Sequence, residues 1–393
     1  MNRKIAFITE GFMGSALPLM RQLCLRGYDV DLYYYKREIH EPEACELNFV
    51  SPHYGINTVP AEAYKGIRAY IGNEKLRIYT FSQMKPFASV PVLKSILVRI
   101  LKHQARKAAE HISNQGYDAI NLICNYDMAH MEDMLHFLRG NIIVSMHEVW
   151  NHSEPSPIPS PLLREAIDKK CKISVFSENS LKDISRIHGI DMNLVDMNPF
   201  GLFESFSSLS ESELPEELPD KYILFFGYIK PYKGLGILHD AINILGESLG
   251  DYKIVIAGKG YDQVVGEIGK DDRYLLIHRF IHSLELVRLI RHAYVIVCPY
   301  LTMSQSGIPQ TAFPFGTPVI ASDLDGFREI VTPEVGMLFP AGDAQSLARC
   351  ITDLIQHHGK REQMHRNILS FNLLYPKYDW TNICDKYIEI IGQ

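Results

Sequence analysis

The chain has 393 residues, 46% of them apolar and 22% charged, a composition that excludes a disordered chain, collagen or a small disulfide scaffold. Its net charge of −6 argues against a protein that coats nucleic acid. The seven cysteines form no CxxC pair, which favours a reducing, cytoplasmic compartment over a disulfide framework or a zinc site. Neither a signal peptide nor an apolar run of 18 residues is found, so we expect no membrane span.

The first half of the chain alternates predicted strands with predicted helices. Residues 4–9 read as a buried strand, 16–27 as a helix ending at Gly27, and 28–35 as the next strand, which makes a βαβ unit. A further helix is predicted at 94–114 and a Pro-rich loop at 151–162. Further strands are predicted at 117–124, 141–147 and 172–177.

A polar, acidic, Pro-punctuated stretch at 204–220 predicts a linker. A second α/β series follows it, with strands predicted at 222–227, 252–258, 274–278, 294–299 and 317–322. Two doubly wound domains joined by a linker predict a cleft, and in such sheets ligands bind at the carboxyl ends of the strands.

The charge is unevenly distributed along the chain. Residues 81–120 hold six basic and two acidic side chains, and within them 94–107 alternates apolar with basic residues. This pattern fits a surface helix that meets an anionic membrane, and it equally fits a helix with a solvated basic face.

Two glycine-framed turns suggest anion binding. Gly11 and Gly14 separate the first strand from its helix, although their spacing is equally that of a tight turn. Lys230 and Lys233 lie between Gly227 and a helical pattern, where two cations suit a diphosphate. Farther on, the pair at 306–307 opens a helical run whose amides can hold phosphate oxygens.

These motifs resemble those of the retaining glycosyltransferases of family 4, over essentially the whole chain and most strongly over 222–345. The matching segments are Gly227–Gly234, Ala257–Gly260, Gly316–Ala321, Gly336–Asp343, the "NPFG" turn at 198–201, "SMHEVW" at 145–150 and the closing segment 378–391. The resemblance implies an α/β GT-B fold of two facing Rossmann-like, doubly wound domains. It places an acceptor-side domain at 1–203, the linker at 204–220, a nucleotide-sugar-binding domain at 221–375, and a helix at 376–393 that returns to the first domain.

The resemblance also implies an activity: transfer of a sugar, with retention, from a UDP- or GDP-sugar to a glycan or lipid-linked acceptor, in cell-surface or exopolysaccharide synthesis. It implies no cofactor, no metal and no nucleic-acid partner, and a cytoplasmic enzyme peripheral to the inner face of the membrane. His147 and Lys233 are the expected catalytic residues. The expected donor-binding residues are Gly11, Gly14, Gly227, Lys230, Lys233, Arg279, Phe280, Ile281, Gln305, Ser306, Gly307 and Thr311.

The chain departs from the family pattern at three positions. The family's paired glutamates fall on Met303 and Thr311, and its arginine after the first glycine is Tyr228. The lost glutamates keep open a non-catalytic glycosyltransferase-like subunit, and a GT-B nucleotide-sugar epimerase is a further alternative. A nicotinamide dehydrogenase is disfavoured, because the chain lacks a G-x-G-x-x-G turn.

Overall fold

The computed structural model describes residues 3–36, 53–83, 91–150, 156–303 and 306–392. The chain divides into two compact units. The first comprises Met1–Gly201 and Trp380–Gln393, and the second comprises Leu202–Asp379. Each unit is built around a mainly parallel sheet with helices, so the predicted α/β class is confirmed.

The first unit contains an eight-stranded sheet among its described residues. The strands are β1 (Lys4–Thr9), β2 (Asp29–Lys36), β3 (Gly55–Thr58), β4 (Arg77–Ser82), β5 (Ala119–Cys124), β6 (Ile142–Met146), β7 (Lys172–Val175) and β8 (Val195–Met197). Their order is β3-β4-β2-β1-β5-β6-β7-β8, and only the edge strand β3 is antiparallel to its neighbour. The helices are α1 (Met13–Leu25), α2 (Lys65–Ile71), α3 (Pro91–Ser113), α4 (Ala129–Phe137), α5 (Pro161–Asp168) and α6 (Glu178–Ile184).

The second unit contains a six-stranded, fully parallel sheet in the order β11-β10-β9-β12-β13-β14, which is the doubly wound arrangement. Its strands are β9 (Tyr222–Phe226), β10 (Lys253–Ala257), β11 (Tyr274–Ile277), β12 (Val295–Cys298), β13 (Val319–Ser322) and β14 (Gly336–Phe339). Its helices are α7 (Glu204–Ser207), α8 (Leu235–Leu245), α9 (Val265–Ile268), α10 (Ser283–His292), α11 (Ile308–Ala312), α12 (Asp325–Arg328), α13 (Ala344–Gln356), α14 (His358–Leu369) and α15 (Phe371–Leu374).

The last helix, α16 (Trp380–Gly392), belongs to the first unit, which confirms the predicted return of the chain. Its buried face packs with α1 and the sheet in one apolar core. Asn198, in the "NPFG" turn, donates a hydrogen bond to the Ile383 carbonyl at 3.2 Å, and Arg26 bonds Asp385 at 2.9 Å. Apolar packing and these polar contacts together hold the helix on the first unit.

The predicted linker and loop both contain regular structure. Residues 204–207 form α7, and the acidic residues that follow form ion pairs with α10, including Glu213 with Arg288 at 3.0 Å. The predicted Pro-rich loop ends two residues early, because Ser160 caps α5 and Pro161 is its first residue. A proline is tolerated there since the first helical N–H has no partner within the helix.

No helix in the described part of the chain combines the length and the apolar character that crossing a membrane requires.

Candidate active site

A lysine lies at the carboxyl end of the central strand of the second unit. After β9 the chain turns at Gly227, whose φ of 106° favours glycine, and residues 231–233 form a single 3₁₀ turn. A Cβ atom on Gly227 would lie 2.9 Å from the Lys233 Nζ atom, and Nζ lies 5.3 Å from the centre of the Tyr300 ring. The glycine therefore makes room for the lysine, which the aromatic face also stabilises.

Close backbone contacts explain the other glycines of this region. A Cβ atom on Gly258 would lie 1.9 Å from the Gly227 carbonyl oxygen, and one on Gly234 would lie 1.9 Å from that of Pro299. Both glycines also have positive φ angles, of 154° and 68°. The motif glycines thus bring the ends of β9, β10 and β12 into direct contact.

The electrostatic setting of Lys233 suits an anion. Burial lowers the pKa of Lys233 to about 8, and the positive charge of the exposed Lys230 acts in the same direction. Among the described residues, no carboxylate forms a salt bridge with Lys233. A partly shielded ammonium group of this kind gains stability when an anion binds beside it.

An open pocket of about 370 Å³ lies beside this turn and is lined by three of the predicted donor-binding residues, Gly227, Phe280 and Ile281. Lys259 lies on its wall, with Nζ 5.5 Å from the centre of the Tyr228 ring and 5.6 Å from that of Phe280. No pattern in the sequence indicates a role for Lys259, although it lies within the Ala257–Gly260 motif. Two rings and a cation around an apolar pocket can hold a planar base and a nearby phosphate.

Arg279 is occupied by two carboxylates of the same unit. Its guanidinium group bonds Glu216 at 2.8 and 3.1 Å and Glu285 at 2.8 and 2.9 Å. These bonds raise the pKa of Arg279 and lower the pKa of Glu216. The Arg279 side chain therefore fixes the segment around Glu216 to the loop before α10. The next two residues, Phe280 and Ile281, line the pocket.

The predicted phosphate-binding segment is partly described. Gln305 lies outside the described residues. Gly307 caps the short helix α11, and Ser306 Oγ accepts a hydrogen bond from the Ile308 amide at 3.3 Å. The Thr311 hydroxyl donates to the Gly307 carbonyl at 2.7 Å, so this threonine, at the position of the family's second glutamate, bonds its own helix.

The remaining predicted site residues lie in the first unit, at the carboxyl edge of its sheet. Gly11 and Phe12 both have left-handed backbones, with φ of 78° and 50°. The Gly11 amide donates to the Tyr34 hydroxyl at 3.2 Å, and Gly14 is buried in the first turn of α1. A left-handed phenylalanine is a strained residue, and such strain is concentrated at functional sites.

The strained Phe12 stacks on His147. The two ring centres lie 3.8 Å apart, and Phe176 and Phe200 contact the same imidazole at 4.8 and 4.6 Å. His147 is half-buried, its Nε2 atom is buried without a hydrogen-bond partner in the described structure, and burial lowers its pKa to about 3. The imidazole is therefore neutral near pH 7 and can exchange a hydrogen bond with a hydroxyl.

The site and the sheet orders define a class: a two-unit α/β protein with a pocket lined by aromatic residues and a lysine on its second unit. Residues 220–357 match the family described as "Glycosyl transferases group 1". The protein resembles the phosphatidyl-myo-inositol mannosyltransferase of Mycobacterium leprae, with 30% identity over 174 residues. That alignment covers 43% of the chain and 46% of the relative, so the chain matches about half of that protein's length.

A second relative and a solved structure extend the similarity. The Mycobacterium tuberculosis protein of the same name is 26% identical over 269 residues, covering 65% of the chain and 68% of the relative. Anabaena HepE in complex with UDP and glucose superposes with a TM-score of 0.66 at 16% identity, and each chain is fully covered. The predicted GT-B class is thereby confirmed.

Proposed function

We propose that the protein transfers a sugar from a nucleotide-diphosphate donor to a hydroxyl group of an acceptor. The half-buried Lys233 at the carboxyl end of β9 carries this proposal. A partly shielded ammonium group in an α/β sheet, at the edge where ligands bind, suits a leaving diphosphate better than a neutral ligand. The match of residues 220–357 to the group 1 family supports the same reaction.

Lys233 would act on the charge that develops during transfer. As the bond from the sugar to the diphosphate breaks, negative charge accumulates on the leaving oxygen, and a fixed cation stabilises it. We propose that Lys230 and Lys233 suffice for this, so that transfer needs no metal. We also propose retention, with attack from the face that the diphosphate leaves and with that phosphate accepting the acceptor's proton.

The pocket beside Lys259 would hold the nucleobase. Tyr228 and Phe280 offer ring surfaces, and the neighbouring glycine backbones allow close approach of a planar group. UDP and GDP sugars are both candidate donors. The presence of UDP in the HepE structure supports a uridine nucleotide as the first to test.

For the acceptor, we propose a glycan or a lipid-linked molecule, with a role in cell-surface or exopolysaccharide synthesis. The two mycobacterial relatives are named phosphatidyl-myo-inositol mannosyltransferases. Two further relatives are a glycosyltransferase of Methanocaldococcus jannaschii and a D-inositol 3-phosphate glycosyltransferase of Xylanimonas cellulosilytica. These names support acceptors rich in hydroxyl groups.

We further propose that α3 meets the cytoplasmic face of an anionic membrane. Ile96, Val98 and Ile100 are exposed by 49, 42 and 39%, and the exposed Arg99 and Lys107 lie on the same helix. Such interleaving of apolar and basic side chains favours anionic lipid. We expect co-sedimentation with phosphatidylglycerol vesicles at low salt and loss of binding in Arg99→Glu/Lys107→Glu. Equal binding by this variant, or no binding by the native protein, would contradict the proposal.

A thermal-shift screen with UDP, GDP and their sugars tests the donor, since a ligand at 100 times its Kd stabilises the fold by about 2.7 kcal/mol. Product analysis then tests the reaction. Transfer with EDTA present and retained anomeric configuration is the expected result. An epimerised donor would indicate the epimerase, nucleotide binding without turnover would indicate a non-catalytic subunit, and no shift with any nucleotide would overturn the donor assignment.

A further inference from the structure

Tyr300 lies between the Lys233 turn and the loop at Ser306, two elements of the second unit that are predicted to hold the donor. It follows β12 by two residues and is only 4% exposed. The Lys233 Nζ atom lies 5.3 Å from the centre of the Tyr300 ring, and the Tyr300 hydroxyl shares a hydrogen bond with the Ser306 side chain. One buried side chain thus contacts both the cation and the loop that leads into α11.

Packing fixes the ring of Tyr300. The rings of Tyr232 and Phe327 meet it edge-on, with centres at 6.0 and 5.4 Å and planes at 90° and 67°. The Leu301 amide donates a hydrogen bond to the Tyr232 carbonyl at 2.7 Å. Because these two residues are the chain neighbours of Tyr300 and Lys233, this bond ties the end of β12 to the lysine turn. The ring therefore keeps a defined position beside the ammonium group.

The hydroxyl group of Tyr300 acts on the loop. Burial raises the pKa of Tyr300 well above its ordinary value, and the bond with Ser306 opposes this shift only in part, so the phenol stays neutral near pH 7. Ser306 Oγ also accepts a hydrogen bond from the Ile308 amide at 3.3 Å, and Ile308 is the first residue of α11. Since a buried hydroxyl without a partner is costly, the bond between the two side chains holds the loop in a defined position.

A diphosphate needs a cation and hydrogen-bond donors at a spacing that matches its own. Groups that hold this spacing before the donor arrives avoid the cost of being ordered on binding. They also stabilise the leaving group most when its negative charge is greatest. A residue in contact with both groups is therefore placed to control their spacing.

We propose that Tyr300 is a positioning residue for glycosyl transfer, which holds the Lys233 ammonium group through its ring and the loop at Ser306 through its hydroxyl. The inference rests on the proposed function and adds to it the residue that keeps two donor-binding elements at a fixed spacing. Because Tyr300 is buried, it acts through these neighbours and does not itself touch the donor.

Tyr300→Phe tests the hydroxyl group, because it keeps the ring and removes the bond with Ser306. With a UDP- or GDP-sugar as donor, we expect kcat for transfer to fall about tenfold and the donor KM to change less than about threefold. Tyr222→Phe is the matched control, because Tyr222 is buried at the amino end of β9 and its hydroxyl donates to the Leu289 carbonyl at 2.8 Å. The control should lose comparable stability in urea unfolding but keep the native kcat. Near-native kcat in Tyr300→Phe, or an equal loss in the control, would overturn the proposal.

A double-mutant cycle shows whether the hydroxyl group acts through Ser306. If it does, kcat in Tyr300→Phe/Ser306→Ala should be no lower than in the slower of the two single variants. Losses that multiply in the double variant would mean that the two side chains act independently, which contradicts the proposal.

The ring has a test of its own in the pH dependence of UDP or GDP affinity. Attraction between the ring and the ammonium group favours the charged form of Lys233. Tyr300→Leu should therefore move the decline in affinity near pH 8 to a lower pH, by about half a unit or more, whereas Tyr300→Phe should keep the native midpoint. The same midpoint in all three proteins would overturn the role of the ring.

The native protein distinguishes failure of this inference from failure of the proposed function. Absence of transfer by the native chain with either donor would overturn both together. Native transfer that Tyr300→Phe leaves unchanged would overturn the inference alone.

Discussion

The carboxyl edges of the two sheets differ in the chemistry that they present, although both sheets follow the same doubly wound plan. On the second unit, Lys230, Lys233 and Lys259 lie around glycine turns, and Lys233 is half-buried. On the first unit, the corresponding edge carries His147 among phenylalanine rings and His130 beside a carboxylate. One edge carries three lysines, and the other carries imidazole and phenyl rings with Glu10 beside one of them.

This difference agrees with the proposed reaction, in which a diphosphate and a hydroxyl group are recognised. A diphosphate carries its charge into the transition state, so fixed cations lower the barrier. A sugar hydroxyl is neutral and needs donors and acceptors in defined directions, which imidazole and amide groups provide. The fold alone does not assign these roles, because two similar sheets carry opposite chemistry. Substitutions at either edge should therefore separate charge-dependent effects from shape-dependent ones.

The largest expected effect is at Lys233. Lys233→Met keeps the length of the side chain but removes the cation, and we expect kcat/KM for transfer to fall about 100-fold or more, a loss of roughly 3 kcal/mol of transition-state stabilisation. Steady-state release of the nucleoside diphosphate measures it. The matched control is Lys221→Met, because Lys221 is an exposed lysine at the opposite end of β9. Near-native turnover in Lys233→Met would refute the assignment.

The second effect is a pH dependence of donor binding. With the pKa of Lys233 at about 8 in the free protein, the ammonium form predominates below pH 8 and is lost above it. Because the diphosphate binds the charged form, its affinity should fall as the pH rises, approaching tenfold per unit above pH 8. Calorimetric titration with UDP or GDP between pH 7 and pH 9.5 measures this.

Lys233→Arg separates charge from geometry in the same titration. An arginine remains charged throughout this range, so the decline above pH 8 should disappear even if the bulkier side chain weakens binding at every pH. An identical decline in the arginine variant would show that another group titrates.

The sequence predicts the parallel core better than the edges. Continuous apolar runs such as Lys4–Thr9 and Tyr222–Phe226 indicate strands buried on both faces, and the structure has strands there. The strands β3, β4, β8 and β14 were not predicted. Three of them, β3, β8 and β14, lie at sheet edges, where a short strand depends on tertiary pairing more than on its own pattern.

The same limit applies to the sites. The position of Lys233 can be predicted because the glycines around it have a fixed spacing. Such spacing marks the turn in which the ends of neighbouring strands approach closely. Glu10 and His130 are 120 residues apart and belong to no motif, so only the pairing of β1 with β5 brings them together. Likewise, no pattern in the sequence indicates that Arg279 lies between two carboxylates, where the fold places it.

The smallest expected effect concerns stability rather than turnover and tests the neutral character of the first unit's edge. Burial among rings holds the pKa of His147 at about 3, whereas an unfolded histidine titrates near 6.5. The unfolded state therefore takes up a proton that the folded state does not, and stability falls as the pH drops below 6.5. For this half-buried residue, we expect a loss of about 1–2 kcal/mol in the free energy of unfolding between pH 7 and pH 5.

Urea unfolding of the native protein and of His147→Leu at both pH values isolates this contribution from that of the other histidines. Leucine cannot titrate, so the variant should lose about 1–2 kcal/mol less than the native protein over this range, whatever its stability at pH 7. His188→Leu, at an exposed position, should show the native dependence. If His147→Leu also showed the native dependence, the imidazole would be charged in the folded state. The contrast between a cationic and a neutral edge would then no longer hold.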